Sequence, residues 1–270
     1  MLYMKLEYFN NFNDAIEFVR EKLIEESYVI RTEKWQGIPL EHDMRETLNT
    51  SFKVFMPNNL AELMAQVKPN LPWADRHFEE RVNGFPVNPG KTYKLWPFYK
   101  MDKEMRNVDE KFTHSYMERI WPKYAGIEGV YAEGHELEPL KGIRYEYGDL
   151  NDLIRLLGKE PFTRQAYLPI FFPEDTGAVH GGRIPCTIGY HFIRRDNYLH
   201  IVYHIRSCDY LRHFRDDIYL AVRKVIWLIN ELAMGSKYWE NVKPGIFTMH
   251  ITSLHIFENE FEMLKRHKKK

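Results

Sequence analysis

The chain is poor in cysteine: its 270 residues hold only Cys186 and Cys208. Two thiols in such a length make no disulfide framework, and they point to a reducing, cytoplasmic setting. Net charge is also absent, with 38 basic against 38 acidic side chains. No whole-molecule field therefore draws the protein to nucleic acid or to a membrane surface. No apolar run approaches the ~20 residues that span a bilayer. The opening stretch, MLYMKLEYFNNFNDAIEF, lacks the apolar core of a signal peptide. Neither a linker nor a repeat stands out, and a chain this long buries a sizeable core without staples. One α+β domain over residues 1–270 is expected. Aromatic side chains are what the sequence has in excess, at 15%. That share suits a well-packed core and sites for flat ligands.

The first half mixes helices with short extended runs. Asn13 or Asp14 is positioned to cap a helix that presents Ile16, Val19 and Leu23 on one face. Pro72 opens a second helix in LPWADRHFEERVNGFPVNPG, and Gly84, Pro86 and Pro89 stop it. DLNDLIRLLGKEP reads as a short helix with Asn151 as cap, Leu153, Ile154 and Leu157 inward, and Gly158 at its end. The second half has a different texture. QAYLPIFFP, CTIGYHFIRR and YLHIVYHIRS read as strands. DDIYLAVRKVIWLINELAMG reads as a long helix with Ile218, Val222, Val225, Ile229 and Leu232 on one stripe. A last strand and helix follow in GIFTMHITSLHIFENEFEMLKR. The closing KRHKKK reads as a solvated end.

Both cysteines lie in RIPCTIGYHFIRRDNYLHIVYHIRSCDY. Structural zinc sites use paired ligands at short spacing. Neither cysteine has such a partner, and His200 and His204 alone do not complete a site, so no metal is expected. The order of residues suggests another chemistry. Cys186 starts a strand, RRDN turns the chain, and the return strand ends in RSCD, which brings Arg206 back beside Cys186. A guanidinium next to a thiol favours the thiolate. Arg206 and Ser207 together suit a phosphate.

On these residues the chain resembles the thymidylate synthase and deoxycytidylate hydroxymethylase family. In that family a catalytic cysteine is followed by a hairpin, an R-S-x-D motif and a helix whose first turn reads the base. PFTRQAYLPIFF, SYMERIWP and SLHIFEN resemble its arginine-bearing, tyrosine-bearing and histidine-bearing segments. The recognisable part runs over residues 112–260. The resemblance implies a large mixed twisted β-sheet flanked by helices, a homodimer with shared active sites, a pyrimidine nucleoside monophosphate as substrate and 5,10-methylenetetrahydrofolate as cofactor.

It also implies roles. Cys186 matches the nucleophile, Tyr116 the tyrosine near the proton transfers, and Arg206 and Ser207 the phosphate contacts. Arg164 matches an arginine lent across the dimer, while the second such position is Gln165 here, a departure. Asp209 matches the pterin contact. His255 matches the contact to the sugar hydroxyl, with Phe257 where the family has a tyrosine, so CMP stays open beside dCMP. Glu80 or Glu79 is the candidate acid–base carboxylate. Glu80 is preferred because it borders the aromatic face of Trp73 and His77. Arg31 or Lys34 is a further candidate phosphate contact, and Cys208 reads as a packed small residue.

One position discriminates within the family. Asp217 stands where thymidylate synthases carry asparagine and where bacteriophage hydroxymethylases carry aspartate. A carboxyl with one proton matches the N4 donor and N3 acceptor of cytosine, whereas an amide matches uracil. A mismatch would leave buried polar groups unsatisfied at roughly 1–3 kcal/mol each. The expected activity is dCMP hydroxymethylation, with C5 methylation of dCMP or dUMP as the alternative. Helix capping by Asp216 or Asp217 is the plainer reading of the same residues. A non-catalytic nucleotide- or nucleic-acid-binding protein is a second class, opposed by the joint presence of Cys186, Arg206, Ser207, Asp209 and His255.

Overall fold

The computed structural model describes residues 7–35, 38–98, 111–125, 144, 146, 148–175 and 183–266. Its centre is a seven-stranded mixed sheet. The strands are β1 (Glu7–Phe9), β2 (Tyr28–Ile30), β5 (Met44–Phe55), β6 (Tyr167–Pro169), β7 (Thr187–Arg195), β8 (Tyr198–Asp209) and β9 (Lys243–Phe257), and β3 (Lys34–Trp35) with β4 (Ile38–Pro39) makes a separate ribbon. The order across the sheet is β1-β5-β9-β8-β7-β6, with β2 also on β5. β8 and β9 pair in parallel, placing Ser207 beside Ser253 and Asp209 beside His255. β7 and β8 form the expected antiparallel hairpin, with a register irregularity between Thr187 and Gly189.

Helices flank the sheet. They are α1 (Phe12–Glu26), α2 (Leu60–Val67), α3 (Trp73–Val82), α4 (Tyr116–Ile120), α5 (Leu150–Lys159), α6 (Phe214–Gly235) and α7 (Phe261–Arg266). The stripe expected on α6 is buried, Ile218, Val222 and Val225 completely. It closes over Ile201, Tyr203 and Ile205 of β8 and Phe247, Met249 and Ile251 of β9, all in one core. Each fully buried aliphatic side chain contributes roughly 1.5–3 kcal/mol. The face of the sheet that carries His191, His200, Val202, His204 and His250 is only half-buried.

Helix boundaries differ in detail from expectation. Asn11 caps α1, accepting the Asp14 N–H at 3.0 Å, so Asn13 and Asp14 lie inside the helix. α5 is capped by Asp149 in a reciprocal box with Asp152, not by Asn151, and it runs past Gly158 to Lys159. In both cases a capping side chain reaches the N–H three residues on, which fixes the helix start earlier. α6 begins at Phe214, before Asp216 and Asp217, and Gly235 is its last residue. The basic end enters α7 at Lys265 and Arg266; residues 267–270 lie outside the described residues. The long strand β5 replaces the short extended runs expected there, because β9 pairs along nearly its whole length.

The cap assignment is testable by urea unfolding. Asp149→Ala is expected to cost about 0.5–2 kcal/mol, whereas Asn151→Ala, on the exposed side, should change stability little. The reverse ranking would refute the assignment.

Candidate active site

β7 and β8 bring the ends of the cysteine-bearing stretch together. The Arg206 N–H donates to the Cys186 carbonyl at 2.9 Å. The Arg206 guanidinium donates to the Pro185 and Ile184 carbonyls and lies 4.0 Å from Cys186 Sγ. Both residues line a cavity of about 310 Å³, which also receives Tyr116, Arg183, Ser207, Asp209, Asp217 and His255. That volume falls within the usual range of small-ligand pockets. The thiol differs from expectation in one respect. Arg206 and Arg183 pull its pKa down, but burial outweighs them and the net shift is upward.

Asp217 is the most perturbed carboxyl of the cavity wall. Burial pushes its pKa up to about 7, against the pull of Arg81 and the hydrogen bonds from Tyr203 and Cys208, while Asp216 adds to the rise. It is not a cap: its own N–H donates to the His213 carbonyl at 2.8 Å within the helix. Asp216 is the structural partner, accepting the backbone and side-chain N–H groups of Asn70 at 2.8 Å each. The neighbouring aspartates thus separate by role. Cys208 is packed, as expected, but its sulfur also lies 3.9 Å from Asp217 Oδ2.

The other candidates fall into place unevenly. The Asp209 carboxylate accepts the Leu211 and Arg212 N–H groups at 3.0 Å and the Arg212 guanidinium at 3.2 Å. His255 is buried, and its Nε2 has no hydrogen-bond partner among the described residues. Arg31 is exposed and off the wall, because the alternation of the chain turns Ile30, Thr32 and Lys34 inward instead. Arg164 is exposed and away from this cavity, its carbonyl held by His191 Nε2 at 2.9 Å.

Neither Glu79 nor Glu80 lines the cavity. Glu79 points outward, 3.5 Å from Arg223 and 68% exposed. Glu80 turns away to accept the Thr92 N–H at 2.9 Å and the Thr92 hydroxyl. Its carboxylate stands 3.6 Å behind His77 Nδ1. The helix side that does face the cavity is Trp73, His77 and Arg81, spaced by four, as helical periodicity demands. Arg81 was missed, and His77 was read only as an aromatic neighbour of Glu80; the four-residue spacing was the available signal. Arg81 Nε donates to His77 Nε2 at 3.1 Å, and its guanidinium covers the Tyr116 ring at 4.1 Å. Burial and Arg81 lower the His77 pKa to about 4, so the ring is neutral at pH 7. His77 stacks on Trp73 at 5.0 Å and His213 on Trp96 at 5.3 Å, and the two tryptophans meet at 6.3 Å. Together they give one wall a flat, uncharged aromatic surface.

No protein family and no curated relative matches the sequence. Among solved structures, the fold is similar to a thermostable thymidylate synthase A from Bacillus subtilis, with a TM-score of 0.64. The alignment covers 97% of this chain and 85% of that one at 12% identity. The likeness establishes a thymidylate synthase-like fold.

Asp217 also makes a stability prediction. A carboxyl whose folded pKa is raised costs nothing while both states are protonated, and its cost grows from its ordinary value near 4 until the folded group ionises near 7. Asp217→Asn should therefore stabilise the free protein at pH 8 by on the order of a few kcal/mol, with the gain fading toward pH 4. An equal gain at both pH values in denaturant titrations would refute this.

Proposed function

We propose that the protein transfers a one-carbon unit to C5 of a pyrimidine nucleotide, with dCMP converted to 5-hydroxymethyl-dCMP. The observation that carries this reading is a carboxyl balanced near neutrality, Asp217, in one cavity with Cys186 and Arg206. Half-protonated, Asp217 can accept from the cytosine N4 amino group while offering a proton to N3. Uracil presents the opposite pattern and would leave a donor facing a donor.

The chain's residues then act as follows. Arg206, Ser207 and Arg183 hold the 5′-phosphate, and the orphaned His255 Nε2 takes a sugar hydroxyl. Cys186 Sγ adds to C6, losing its proton to solvent water as it attacks, and Asp217 protonates N3. C5 thereby gains the electron density that makes it nucleophilic, and covalent addition divides one hard substitution into easier steps. Tyr116, on the cavity wall, receives the proton that leaves C5. The aromatic wall of Trp73, His77, Trp96 and His213 fits a pterin, and Asp209 offers it a carboxylate. Folate, when bound, supplies the carbon at the methylene level. Loss of the C5 proton and of tetrahydrofolate leaves an exocyclic methylene on the ring, and water adds across it as Cys186 departs, completing the hydroxymethyl product. Arg164, away from this cavity, serves the phosphate of the second subunit in a homodimer.

Three measurements test the reading. Incubation with methylenetetrahydrofolate and dCMP, dUMP or CMP should give a product 30 mass units heavier, the mass of CH2O, from dCMP alone. A methyl product would replace hydration by reduction, and turnover of dUMP alone would refute base readout by Asp217. Asp217→Asn should move preference toward dUMP by about 10-fold or more, and an unchanged ratio counts against it. Cys186→Ala should abolish exchange of the C5 proton; retained exchange would falsify the nucleophile assignment.

A further inference from the structure

Behind the cavity wall lie two hydroxyl groups that the mechanism above does not use, those of Thr187 and Tyr203. Tyr116 Oη is 3.2 Å from Thr187 Oγ1. Thr187 Oγ1 is 2.9 Å from Tyr203 Oη. Tyr203 in turn faces the Asp217 carboxylate and helps to hold its pKa down against burial. The two ends, Tyr116 and Asp217, line the cavity, whereas Thr187 and Tyr203 do not. Both middle residues are fully buried. No bulk water reaches them, so their hydroxyls satisfy one another.

The line is held rigidly. Thr187 follows Cys186 directly, and its N–H points to Tyr116 Oη at 3.5 Å. Tyr203 is stacked on Tyr190 at 4.8 Å between ring centroids. Arg81 covers the Tyr116 ring. A hydroxyl can accept one proton while donating another. A row of them therefore moves a proton from end to end without any member carrying a lasting charge. That matters here, because burial raises the pKa of Tyr116 and Tyr203 far above neutrality. Phenolate intermediates are excluded, and a concerted shift is not.

We infer that Thr187 and Tyr203 are positioning residues of a proton relay that joins Tyr116, at the C5 side of the bound base, to Asp217, at its N3 side. The inference rests on the proposed pyrimidine C5 chemistry. The step balances. When Cys186 forms the S–C6 bond, its thiol proton passes to solvent water in the open cavity, and Asp217 gives its own proton to N3 and becomes a carboxylate. C5 then bonds to the one-carbon unit, leaving the ring protonated. The C5–H bond breaks, and its electron pair forms the C4–C5 double bond and neutralises the ring. The proton goes to Tyr116 Oη, which releases its own to Thr187, Thr187 to Tyr203, and Tyr203 to the Asp217 carboxylate. The proton lent to N3 is thus replaced by the one removed from C5.

The groups facing Asp217 are Arg81 from α3, Asp216 on its own helix, Tyr203 and Cys208 from β8, Tyr116 from α4, and Cys186 and Tyr190 at and beside β7. The relay variants Thr187→Val and Tyr203→Phe leave every charged member of that set in place.

The test compares the unaltered enzyme with Thr187→Val, Tyr203→Phe and the double variant. The readouts are tritium release from 5-tritiated dCMP with methylenetetrahydrofolate, its pH profile, and covalent trapping of Cys186 by 5-fluoro-dCMP, whose C5 carries no proton to lose. Each single variant should lower kcat for release by roughly 100-fold. KM and the trapped adduct should stay within about 2-fold of the unaltered enzyme, since they do not depend on the relay. The double variant should be no slower than the worse single one, as expected for groups that act as one unit. The limb of the pH profile set by Asp217 should also flatten. Thr187→Ser, which keeps the hydroxyl, should restore release, and it decides the matter should Tyr203→Phe fold poorly. Unchanged release, additive losses, a rise in KM with kcat preserved, or no rescue by serine would each overturn the relay. If the unaltered enzyme releases no tritium, the C5 reading itself fails, an outcome distinct from the variants alone retaining release.

Discussion

Burial of one carboxyl group that has no ion-pair partner among the described residues governs much of what the site is. Asp217 sits in the first turn of α6, where the helix dipole favours a negative charge by about 0.3–1 kcal/mol. Desolvation is the larger effect, and the pKa rises to about 7. The surrounding structure is arranged to leave that balance undisturbed. Asp216 takes the structural duty of anchoring Asn70. Arg81 approaches but is turned to His77 and Tyr116. Had Arg81 formed a salt bridge, the carboxyl would be a plain anion and would lose the paired donor and acceptor on which the proposed reading of cytosine depends.

The cavity wall follows the same logic of suppressed charge. His77 is buried and His213 half-buried, and desolvation holds them to pKa values of about 4 and 3. Each presents a neutral flat face stacked on a tryptophan. Cations are concentrated on the side of Cys186, where Arg206 and Arg183 both act on the thiol. The cavity is thus cationic beside the sulfur and aromatic along another wall, a division that suits a ligand with a phosphate and flat rings.

Much of this was legible in the chain, because short-range order carried it. Cys186, the turn at Arg194 to Asn197 and the return to Arg206 are consecutive, so hairpin geometry alone brings thiol and guanidinium together. The apolar stripe of α6 was legible for the same reason. The cap of α5 was misplaced by two residues, because Asp149 and Asn151 are both good caps and only the reciprocal bond to Asp152 separates them. The carboxylates expected at the site from α3 lie off the cavity wall for a different cause. Glu80 is one residue short of the Trp73–His77–Arg81 line, and only its bonds to Thr92, a long-range partner, show that it faces away. Nothing in the sequence links Thr187 to Tyr203; strand pairing across the hairpin does.

The register irregularity between Thr187 and Gly189 has an evolutionary implication. Sulfur and hydroxyl sit on adjacent residues, and a strand alternates its faces at every step. Adding or deleting one residue here would exchange what points at the cavity for what points at the core, and sulfur and hydroxyl would leave their places together. This strand can therefore diverge by replacing side chains but not by changing length, so its length should outlast its sequence among distant descendants of the same ancestor.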